Sequence, residues 1–462
     1  MTHTIIQLAY LGAALLFISA LRALGHPDTA RRGMQFAAFG MAVAVAATLL
    51  DARIVSWQWI VAGLIVGTVA GYPLGMHIKM TAMPQRIALS HAFGALAASL
   101  VGIGEYAHGL VHGTLTSFQT ASLGFEVLFG SLTVTGSLMA FGKLQEILPG
   151  RPLLFRGQNW LNLGLIVLAA AALVAEIVTP GHPLVFGSMA VLAALVGVLF
   201  VLPIGGADMP VVVSLLNSYA GLAAVATGFA LDNTILIVVG ALDGLSGFIL
   251  SMAMSRAMNR SFANVLFGAF GAAPTVDAAA AGGASGEMVA TSAEDAALRL
   301  AYASRVVMVP GYGLAVSQAQ HQIRELGELI EKRGGEVRYA IHPVAGRMPG
   351  HMNVLLAEAG VPYDKLIDME EINEKFADTD ISVVVGANDV VNPAARTNAA
   401  SPIYGMPILK VADSKAVLVL KRGRGTGFSG VENDLFVDPK TSMLFGDARA
   451  SLAELGSEVK IA

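Results

Sequence analysis

The chain contains no cysteine among its 462 residues. That absence excludes disulfides, thiolate catalysis and cysteine-ligated zinc or iron–sulfur sites. Charged side chains are scarce at 13% of the sequence, against about 25% in an average soluble domain. The scarcity is uneven, because residues 1–260 hold only eleven of the 29 lysines and arginines. The net charge of −4 gives no reason to expect a nucleic-acid partner.

Long apolar runs fill the charge-poor part of the chain. A helix needs about 20 mainly apolar residues to cross a bilayer, and nine stretches meet that requirement. They lie at residues 4–24, 34–50, 54–73, 86–105, 120–142, 161–179, 183–203, 209–231 and 233–254. The first has no basic flank or cleavage site, so we interpret it as a retained span rather than a signal peptide. Glycines four residues apart, at Gly63, Gly67 and Gly71 and at Gly240 and Gly244, indicate close helix packing.

Positive charges occupy alternate loops between these stretches. Among the even-numbered loops only Arg53 is cationic. The odd-numbered loops and the flank after the ninth span carry Arg22, Arg31, Arg32, Lys79, Arg86, Lys143, Arg151, Arg156, Arg256 and Arg260. Because Lys and Arg accumulate in cytoplasmic loops, we expect the N-terminus outside and the C-terminal part in the cytoplasm.

Polar side chains inside predicted spans are costly and tend to be functional. They are His91, Glu126, Ser137, Asn217 and Asp243, with Asp208 at the mouth of the eighth span. Histidine takes and releases a proton near neutral pH, so we interpret His91 as part of a proton path. The alternative is that each group only hydrogen-bonds a neighbouring helix. For Glu126 a further alternative is a position near the outer surface, solvated by water.

The charge-rich part begins after a tether. Residues 268–297 are rich in Gly, Ala, Ser and Thr, a composition that favours a flexible linker without a packed element. We therefore divide the chain into a transmembrane domain at 1–262, a linker at 263–297 and a C-terminal domain at 298–462. There, β-branched runs at 306–309, 337–341, 381–385 and 417–420 alternate with helical patterns at 313–333 and 352–359. This alternation predicts an α/β domain with a Rossmann-like, doubly wound parallel sheet.

Gly311 and Gly313 follow the first predicted strand and open a helix, as in a dinucleotide-binding turn. The third position of that pattern is Val316 instead of glycine, so the packing of helix on strand differs. No acidic residue follows the second strand to bind a ribose 2′-hydroxyl.

Cations near the other strands favour a nucleotide with a 2′-phosphate. Lys421, Arg422 and Arg424 follow the last predicted strand, and guanidinium groups bind phosphate with two hydrogen bonds. Arg347, in a turn rich in Gly, Pro and His, is a second candidate for phosphate. The alternative for the tract at 421–424 is a solvated basic loop.

Taken together, these motifs resemble the β subunit of proton-translocating NAD(P) transhydrogenases. The tracts that carry the resemblance are long and irregular, and they span the chain. They lie at residues 25–30, 214–221, 257–262, 309–315, 341–353, 385–394 and 443–447.

The resemblance implies a specific activity. In this family a partner α subunit carries the NAD(H)-binding domain and further membrane helices, and the β subunit carries the NADP(H)-binding domain and most of the proton channel. Hydride passes directly between the two nicotinamide rings while a proton crosses the bacterial inner membrane. The assembly is a dimer of αβ units.

The resemblance also implies roles for individual residues. His91, Asn217 and Ser137 match channel positions, and Asp208 matches an acidic residue at the cytoplasmic mouth. The positions expected to bind NADP(H) are Gly311, Tyr312, Gly313, Val316, Arg347, Gly386, Asn388, Asp389, Lys421, Arg422 and Arg424. Asp389 is also expected to sense protonation. The family binds NADP(H) in an orientation reversed from the usual one, which leaves the phosphate contact of the glycine turn open.

Two positions depart from the family pattern. Gly423 stands where the family often has serine, which removes a hydroxyl near the 2′-phosphate, and Arg424 compensates by charge. Phe428 stands where tyrosine is usual, which removes a hydrogen bond from the loop. Two other functions stay open on the residues alone: a secondary transporter regulated by a nucleotide-binding domain, and a membrane anchor for such a domain.

Overall fold

The computed structural model describes residues 2–50, 56–77, 82–150, 152–206, 208–258, 262, 286–348, 350–399, 401, 403–425, 427 and 429–462. The chain divides into two compact units, Met1–Ser251 and Met252–Ala462. The first is helical and the second is built on a sheet.

Within the described residues, nine helices are long and apolar enough to cross a membrane. They are α1 (Thr2–Leu24), α2 (Pro27–Leu49), α3 (Trp57–Met76), α4 (Met83–His112), α5 (Ser117–Leu144), α6 (Gln158–Val178), α7 (Pro183–Val201), α8 (Met209–Ala230) and α9 (Thr234–Ala257). Each overlaps one predicted stretch, so the polytopic helical class is confirmed.

Helices α5 and α8 form the interior of the first unit. Half of the apolar window of α5 and 61% of that of α8 are buried, against 0% for α3. Helix α8 meets α9 through glycines: a Cβ on Gly221 would lie 2.3 Å from the Gly244 amide nitrogen, and one on Gly240 would lie 2.7 Å from the Gly221 carbonyl oxygen. The expected close packing therefore occurs at this pair. Among the described residues, the glycines of α3 have no neighbour within 4 Å of an added Cβ.

Lys143, which the sequence assigns to the fifth loop, is a buried cation at the end of α5. Lys143 belongs to the last turn of α5 and is 2% exposed. Its Nζ donates to the carbonyl oxygens of Val201 at 3.1 Å and Ile204 at 2.7 Å. The ammonium group thus satisfies carbonyl oxygens at the end of α7 and just beyond it, so its placement in a loop is wrong. Arg156 still provides the expected charge.

The second unit contains a parallel sheet of six strands. The strands are β1 (Arg305–Pro310), β2 (Glu336–Ile341), β3 (Leu366–Asp368), β4 (Ile381–Val385), β5 (Ala416–Lys421) and β6 (Thr441–Phe445). Their order is β3-β2-β1-β4-β5-β6, and all pairs are parallel. This is the order of a doubly wound dinucleotide-binding fold, so the predicted fold class is confirmed.

Helices on both sides bury the sheet. They are α10 (Ala293–Ala301), α11 (Tyr312–Val316), α12 (Gln320–Lys332), α13 (His351–Glu358), α14 (Met369–Ile372), α15 (Ala394–Thr397) and α16 (Ala448–Ile461). One core cluster joins Val309, Val384 and Val419 of three adjacent strands to Phe376 and Phe436. Strands buried on both faces read as continuous apolar runs, which is why β1, β4 and β5 were visible in the sequence.

The predicted helix at 313–333 is wrong in one respect, because it is broken. Helix α11 ends at Val316, and Gln318 has a φ of 51°. A glutamine in the left-handed region interrupts a helix, and the Ala319 amide closes the turn by donating to the Leu314 carbonyl oxygen at 3.1 Å. Helix α12 then begins at Gln320.

The expectation that residues 268–297 hold no packed element is wrong for their last part. The Met443 amide donates to the Val289 carbonyl oxygen at 2.7 Å, and the Thr291 amide donates to the Met443 carbonyl oxygen at 2.9 Å. Helix α10 then begins at Ala293, with Ser292 accepting a hydrogen bond from the Asp295 amide as its N-cap. Residues 289–291 thus pair with Met443 of the edge strand β6. Residues 263–285 lie outside the described part.

Candidate functional site

The turns that follow β1 and β4 touch each other through their backbones. The Gly311 amide donates to the Val385 carbonyl oxygen and the Gly313 amide to the Gly386 carbonyl oxygen, both at 2.9 Å. A Cβ on Gly311 would lie 2.4 Å from the Ala387 amide nitrogen. Both glycines are therefore required by the contact between two loops. Their two amides are directed at carbonyl groups of the protein.

The other glycine-pattern positions serve the same turn. Gly386 has a φ of 65°, and a Cβ there would lie 2.4 Å from the Gly313 Cα. Val316, at the end of α11, is 47% exposed. It therefore does not supply the helix–strand packing that the third fingerprint position usually provides.

A cation and two rings meet beside the carboxyl ends of β1 and β2. The Arg347 guanidinium lies over the Tyr312 ring, 4.5 Å from its centroid. The Tyr312 and His351 ring centroids are 6.4 Å apart. The His351 Nδ1 accepts a hydrogen bond from the Arg347 amide at 3.0 Å, so its proton is on Nε2. That buried Nε2 has no hydrogen-bond partner among the described residues.

Two histidines of this loop are held neutral. Burial lowers the pKa of His342 to about 4, and its hydrogen bond to the Pro407 carbonyl oxygen opposes that shift. Burial lowers the pKa of His351 to about 4 as well, and the charge of Arg347 adds to it. The imidazoles therefore contribute shape and hydrogen bonds to the loop without adding charge.

A cavity of about 230 Å³ opens at the carboxyl ends of β4 and β5. Its lining includes Asn388, Lys421 and Arg424, three of the predicted nucleotide-binding residues, and also Phe436. The Lys421 ammonium lies 4.7 Å from the centroid of the Phe436 ring. Partial burial lowers the pKa of Lys421, and the carboxylate of Asp389 opposes that shift. A cationic pocket with an aromatic wall suits a phosphorylated nucleotide.

Asp389 ties the loop after β5 to the loop after β4. Its carboxylate accepts hydrogen bonds from the Ser429 amide at 3.0 Å and from the Ser429 hydroxyl at 2.7 Å. A Cβ on Gly427 would lie 2.5 Å from Asp389 Oδ1. The loop therefore approaches the Asp389 carboxylate at Gly427 and donates hydrogen bonds to it from Ser429.

A second set of hydrogen bonds, between residues 388–392 and residues 432–433, was not expected from the sequence. The Asn433 Nδ2 donates to Asn388 Oδ1 at 2.9 Å and to the Asn388 carbonyl oxygen at 3.0 Å. The buried Asn392 Nδ2 donates to the Glu432 carbonyl oxygen at 2.9 Å. Residues 286–288 also line the cavity. The asparagines of residues 388–392 were a visible signal, but their partners are about forty residues away and no local pattern announces them.

Two residues of the tract at 421–424 are absent from the cavity lining. Arg422 is exposed and does not line it. Gly423 has open space where a Cβ would stand. Phe428 lies outside the described residues.

In the helical unit, three of the predicted polar residues come together. The Asn217 Nδ2 of α8 donates to Asp243 Oδ1 of α9 at 3.0 Å. A Cβ on Gly247 would lie 2.9 Å from Asn217 Nδ2, so that glycine makes room for the amide. His91 is half-buried in α4 and interacts electrostatically with Asp243. An imidazole, an amide and a carboxylate thus share one region of the bundle.

Ser137 and Asp208 occupy different positions. Ser137 is 0% exposed in α5, and its hydroxyl has no hydrogen-bond partner among the described residues. Asp208 is the N-cap residue of α8, although its side chain does not cap the helix. Asp208 stands at the end of the span, where the sequence placed it.

Glu126 is not at a solvated surface. It is 0% exposed, and a Cβ on Gly102 of α4 would lie 3.0 Å from its Cδ. The alternative of a water-exposed carboxylate is therefore wrong. A second buried carboxylate, Glu176, was missed: it accepts hydrogen bonds from the Tyr106 hydroxyl and from the Gly181 and His182 amides.

The architecture defines a class of protein. Nine membrane-capable helices precede a doubly wound domain whose carboxyl edge carries a cationic cavity. The chain is therefore a multi-pass membrane protein with a dinucleotide-binding type of domain. The family profile of the NAD(P) transhydrogenase beta subunit matches residues 6–458. The chain belongs to that family.

Two curated relatives carry the name of the same family. A protein of Rhodospirillum rubrum named NAD(P) transhydrogenase subunit beta is 49% identical over 460 residues, which cover 97% of this chain and 98% of the relative. A second sequence of the same name, from a named strain of Rhodospirillum rubrum, has the same identity and coverage. Family membership favours a transhydrogenase over the transporter and anchor alternatives.

Proposed function

We propose that this chain binds NADP(H) in its C-terminal domain and serves as the β half of a proton-translocating transhydrogenase. The main support for this proposal is the cavity at the carboxyl ends of β4 and β5. Its lining includes Lys421, Arg424, Asn388 and Phe436. Ligands of doubly wound sheets bind at this edge. The residues fit a phosphorylated dinucleotide, because cations are present and the buried Nε2 of His351, near Arg347, has no hydrogen-bond partner among the described residues.

The proposed reaction is hydride transfer to or from NAD(H) on a partner α subunit, in a dimer of αβ units. Bound NADP(H) supplies the carbon that gives or takes the hydride. This chain's residues then have two tasks, to position the ring and to exclude water. The Asp389–Ser429 tie and the Asn388–Asn433 tie hold the loops that would do both.

The proposed proton path runs through the helical unit of this chain, in the inner membrane of a bacterium. His91 accepts and releases the proton, while Asn217 and Ser137 hold water near it and Asp208 lies at the cytoplasmic mouth. The loop charges support a topology with the N-terminus outside and the C-terminal domain in the cytoplasm. Nicotinamide nucleotides are then available to the domain.

Coupling is proposed to be a two-state switch, in which protonation favours one loop arrangement and so changes NADP(H) affinity. Asp389 is the candidate sensor. Its carboxylate accepts two hydrogen bonds from Ser429, and a protonated carboxyl group accepts hydrogen bonds less strongly. Protonation would therefore loosen the loop after β5.

Nucleotide preference tests the binding part of the proposal. The full chain in detergent is expected to bind NADPH with at least about tenfold preference over NADH, because the lost 2′-phosphate contacts are worth roughly 1.5–3 kcal/mol. Lys421→Ala should remove most of that preference. Its matched control is Lys332→Ala in α12, a lysine that is absent from the cavity lining. Equal affinity of the wild-type chain for both nucleotides would contradict the proposal.

A further inference from the structure

Helices α4 and α5 share a seam lined with buried polar groups. On α4 the side chains at 91, 95, 99 and 102 follow one face, since residues three and four apart are neighbours on a helix. On α5 the side chains at 126, 130, 133 and 137 do the same. These two faces meet, because a Cβ on Gly130 would lie 2.3 Å from Ser99 Oγ and 3.2 Å from the Ala95 carbonyl oxygen.

The register of the seam is antiparallel. Gly102 stands beside Glu126 and Val127, and Ser99 stands beside Gly130. Continuing this pairing brings Ser137 of α5 to the level of His91 of α4. The intervals from 91 to 102 and from 126 to 137 are both eleven residues, or about 16 Å along each helix.

Four residues on this seam have polar atoms that are buried and without a hydrogen-bond partner among the described residues. The atoms are His91 Nδ1, Ser99 Oγ, Ser137 Oγ and both carboxyl oxygens of Glu126. The Thr227 hydroxyl and the Gly102 amide lie beside Glu126. That hydroxyl already donates to the Ala223 carbonyl oxygen at 3.0 Å, and that amide is part of α4.

Buried polar groups are nearly always hydrogen-bonded, and where the protein supplies no partner, ordered water does. The row of unpartnered polar groups along this seam therefore implies a row of ordered water molecules. The glycines at 102 and 130 let the two helices approach closely, and each faces a polar side chain of the other helix.

We propose that this seam is a proton-conducting water path from Glu126, past Ser99, to His91. Glu126 is its outer proton acceptor and donor, and Ser99 and Ser137 position the water. The proposal deepens the proposed function and rests on it. With the proposed topology, α4 runs from the cytoplasmic side outward, so Glu126 lies in the outer half of the bundle and His91 in the inner half.

The charged surroundings of Glu126 are sparse. Glu105 is the charged group that faces it from α4, and it is exposed. Helix α8 presents Thr227 and has no charged residue between Met209 and Ala230. On α5 itself the other charged side chain is Lys143, at the far end. Hence no salt bridge on these helices explains a carboxyl group at this position.

The test uses the full αβ complex in lipid vesicles, with hydride transfer and internal pH recorded together. In Glu126→Gln, coupled turnover and proton uptake should fall together by about tenfold or more, since a proton relay contributes at least that much. NADPH binding should stay unchanged. Glu126→Asp keeps a carboxyl group and should retain most of the activity.

Variants of Ser99 provide a second test, in which a smaller loss of coupled turnover is expected. Ser99→Ala should slow coupled turnover by about two- to fivefold, the loss expected for one hydrogen bond to water. Ser99→Val, which also adds bulk at the close contact with Gly130, should slow it further. The matched control is Ser122→Ala on α5, whose hydroxyl donates to the Phe118 carbonyl oxygen of its own helix; it should behave as wild type.

A spectroscopic readout separates a proton carrier from a structural carboxyl group. Infrared difference spectra of the complex between turnover and rest should contain a carboxyl band that Glu126→Gln abolishes. Normal coupled rates, an unchanged band and normal proton uptake in Glu126→Gln would overturn the seam path and leave the proposed function standing. Wild-type vesicles that show neither hydride transfer nor a pH change would refute the proposed function itself.

Discussion

At the residue scale, Gly311 and Gly313 have a different structural role from the one that their spacing predicts. In the usual fingerprint the backbone approaches a pyrophosphate. Here Gly311 and Gly313 allow the β1 and β4 turns to approach each other, and their amides donate to carbonyl oxygens of the protein. In the proposed function, phosphate recognition therefore falls to side chains, above all Lys421 and Arg424, which line the cavity.

Gly423→Ser is predicted to strengthen NADPH binding. The site has open space where a Cβ would stand, and Gly423 is not among the residues with positive φ, so the serine fits without strain. A hydroxyl next to Lys421 and Arg424 can add a charge-assisted hydrogen bond to a 2′-phosphate, worth about 1.5 kcal/mol or roughly tenfold in affinity. Titration calorimetry with NADPH measures it. NADH affinity, which involves no 2′-phosphate, is the internal control, and equal gains for both nucleotides would contradict the assignment.

The buried histidines predict a stability change with pH. His342 and His351 have folded-state pKa values of about 4 against an ordinary 6.5. Their contribution to stability is complete above pH 6.5 and is lost as the pH falls toward 4, because the unfolded chain then binds protons that the folded chain does not. Each histidine adds a slope of about 1.4 kcal/mol per pH unit.

Urea unfolding of residues 286–462, followed by circular dichroism between pH 7 and 4.5, measures this slope. His351→Gln should make it shallower, and His321→Gln, at an exposed position of α12, should leave it unchanged. A slope that both variants share with wild type would show that other groups cause the acid sensitivity.

At the element scale, the C-terminal domain begins earlier than its composition suggests. The segment from Val289 adds backbone hydrogen bonds to Met443 of the edge strand β6. Helix α10 packs against α16 and carries the buried side chains of Ala296, Ala297 and Leu300. Covering an edge strand also protects it from pairing with another chain.

A truncation series tests the role of this segment. A domain that starts at residue 298 should be less stable than one that starts at 286 by roughly 2–4 kcal/mol, because it loses the burial of several apolar side chains and two strand hydrogen bonds. It should also bind NADPH more weakly, since residues 286–288 line the cavity. Urea midpoints and NADPH titrations of the two pieces decide the question. Equal midpoints would show that the segment adds nothing.

Which elements could be read from the sequence follows from their physics. The nine spans and strands β1, β2, β4 and β5 were predicted because long or fully buried apolar runs leave a plain signal. Strand β3 has only three residues, and β6 begins with two polar residues, Thr441 and Ser442, so its apolar run is also short. The break at Gln318 and the ties of Asp389 to Ser429 and of Asn388 to Asn433 depend on contacts across the fold, which local patterns do not contain.

At the scale of the whole molecule, one chain contains two kinds of polar site. The sheet unit places cations and asparagines at one edge, where a phosphorylated dinucleotide is proposed to bind. The helical unit places an imidazole, an amide and buried carboxyl groups among apolar helices, where such groups are costly. Each site is formed by residues of one of the two units. Their presence in a single chain of the transhydrogenase beta subunit family supports a coupled reaction.

The most direct test of the coupling is simultaneous recording of hydride transfer and internal pH in vesicles that contain the αβ complex, for wild type and for His91→Ala. The account predicts that proton movement ceases in the variant and that hydride transfer falls with it by about a hundredfold or more, while NADPH still binds. Undiminished proton movement in His91→Ala, accompanied by normal hydride transfer, would contradict the account.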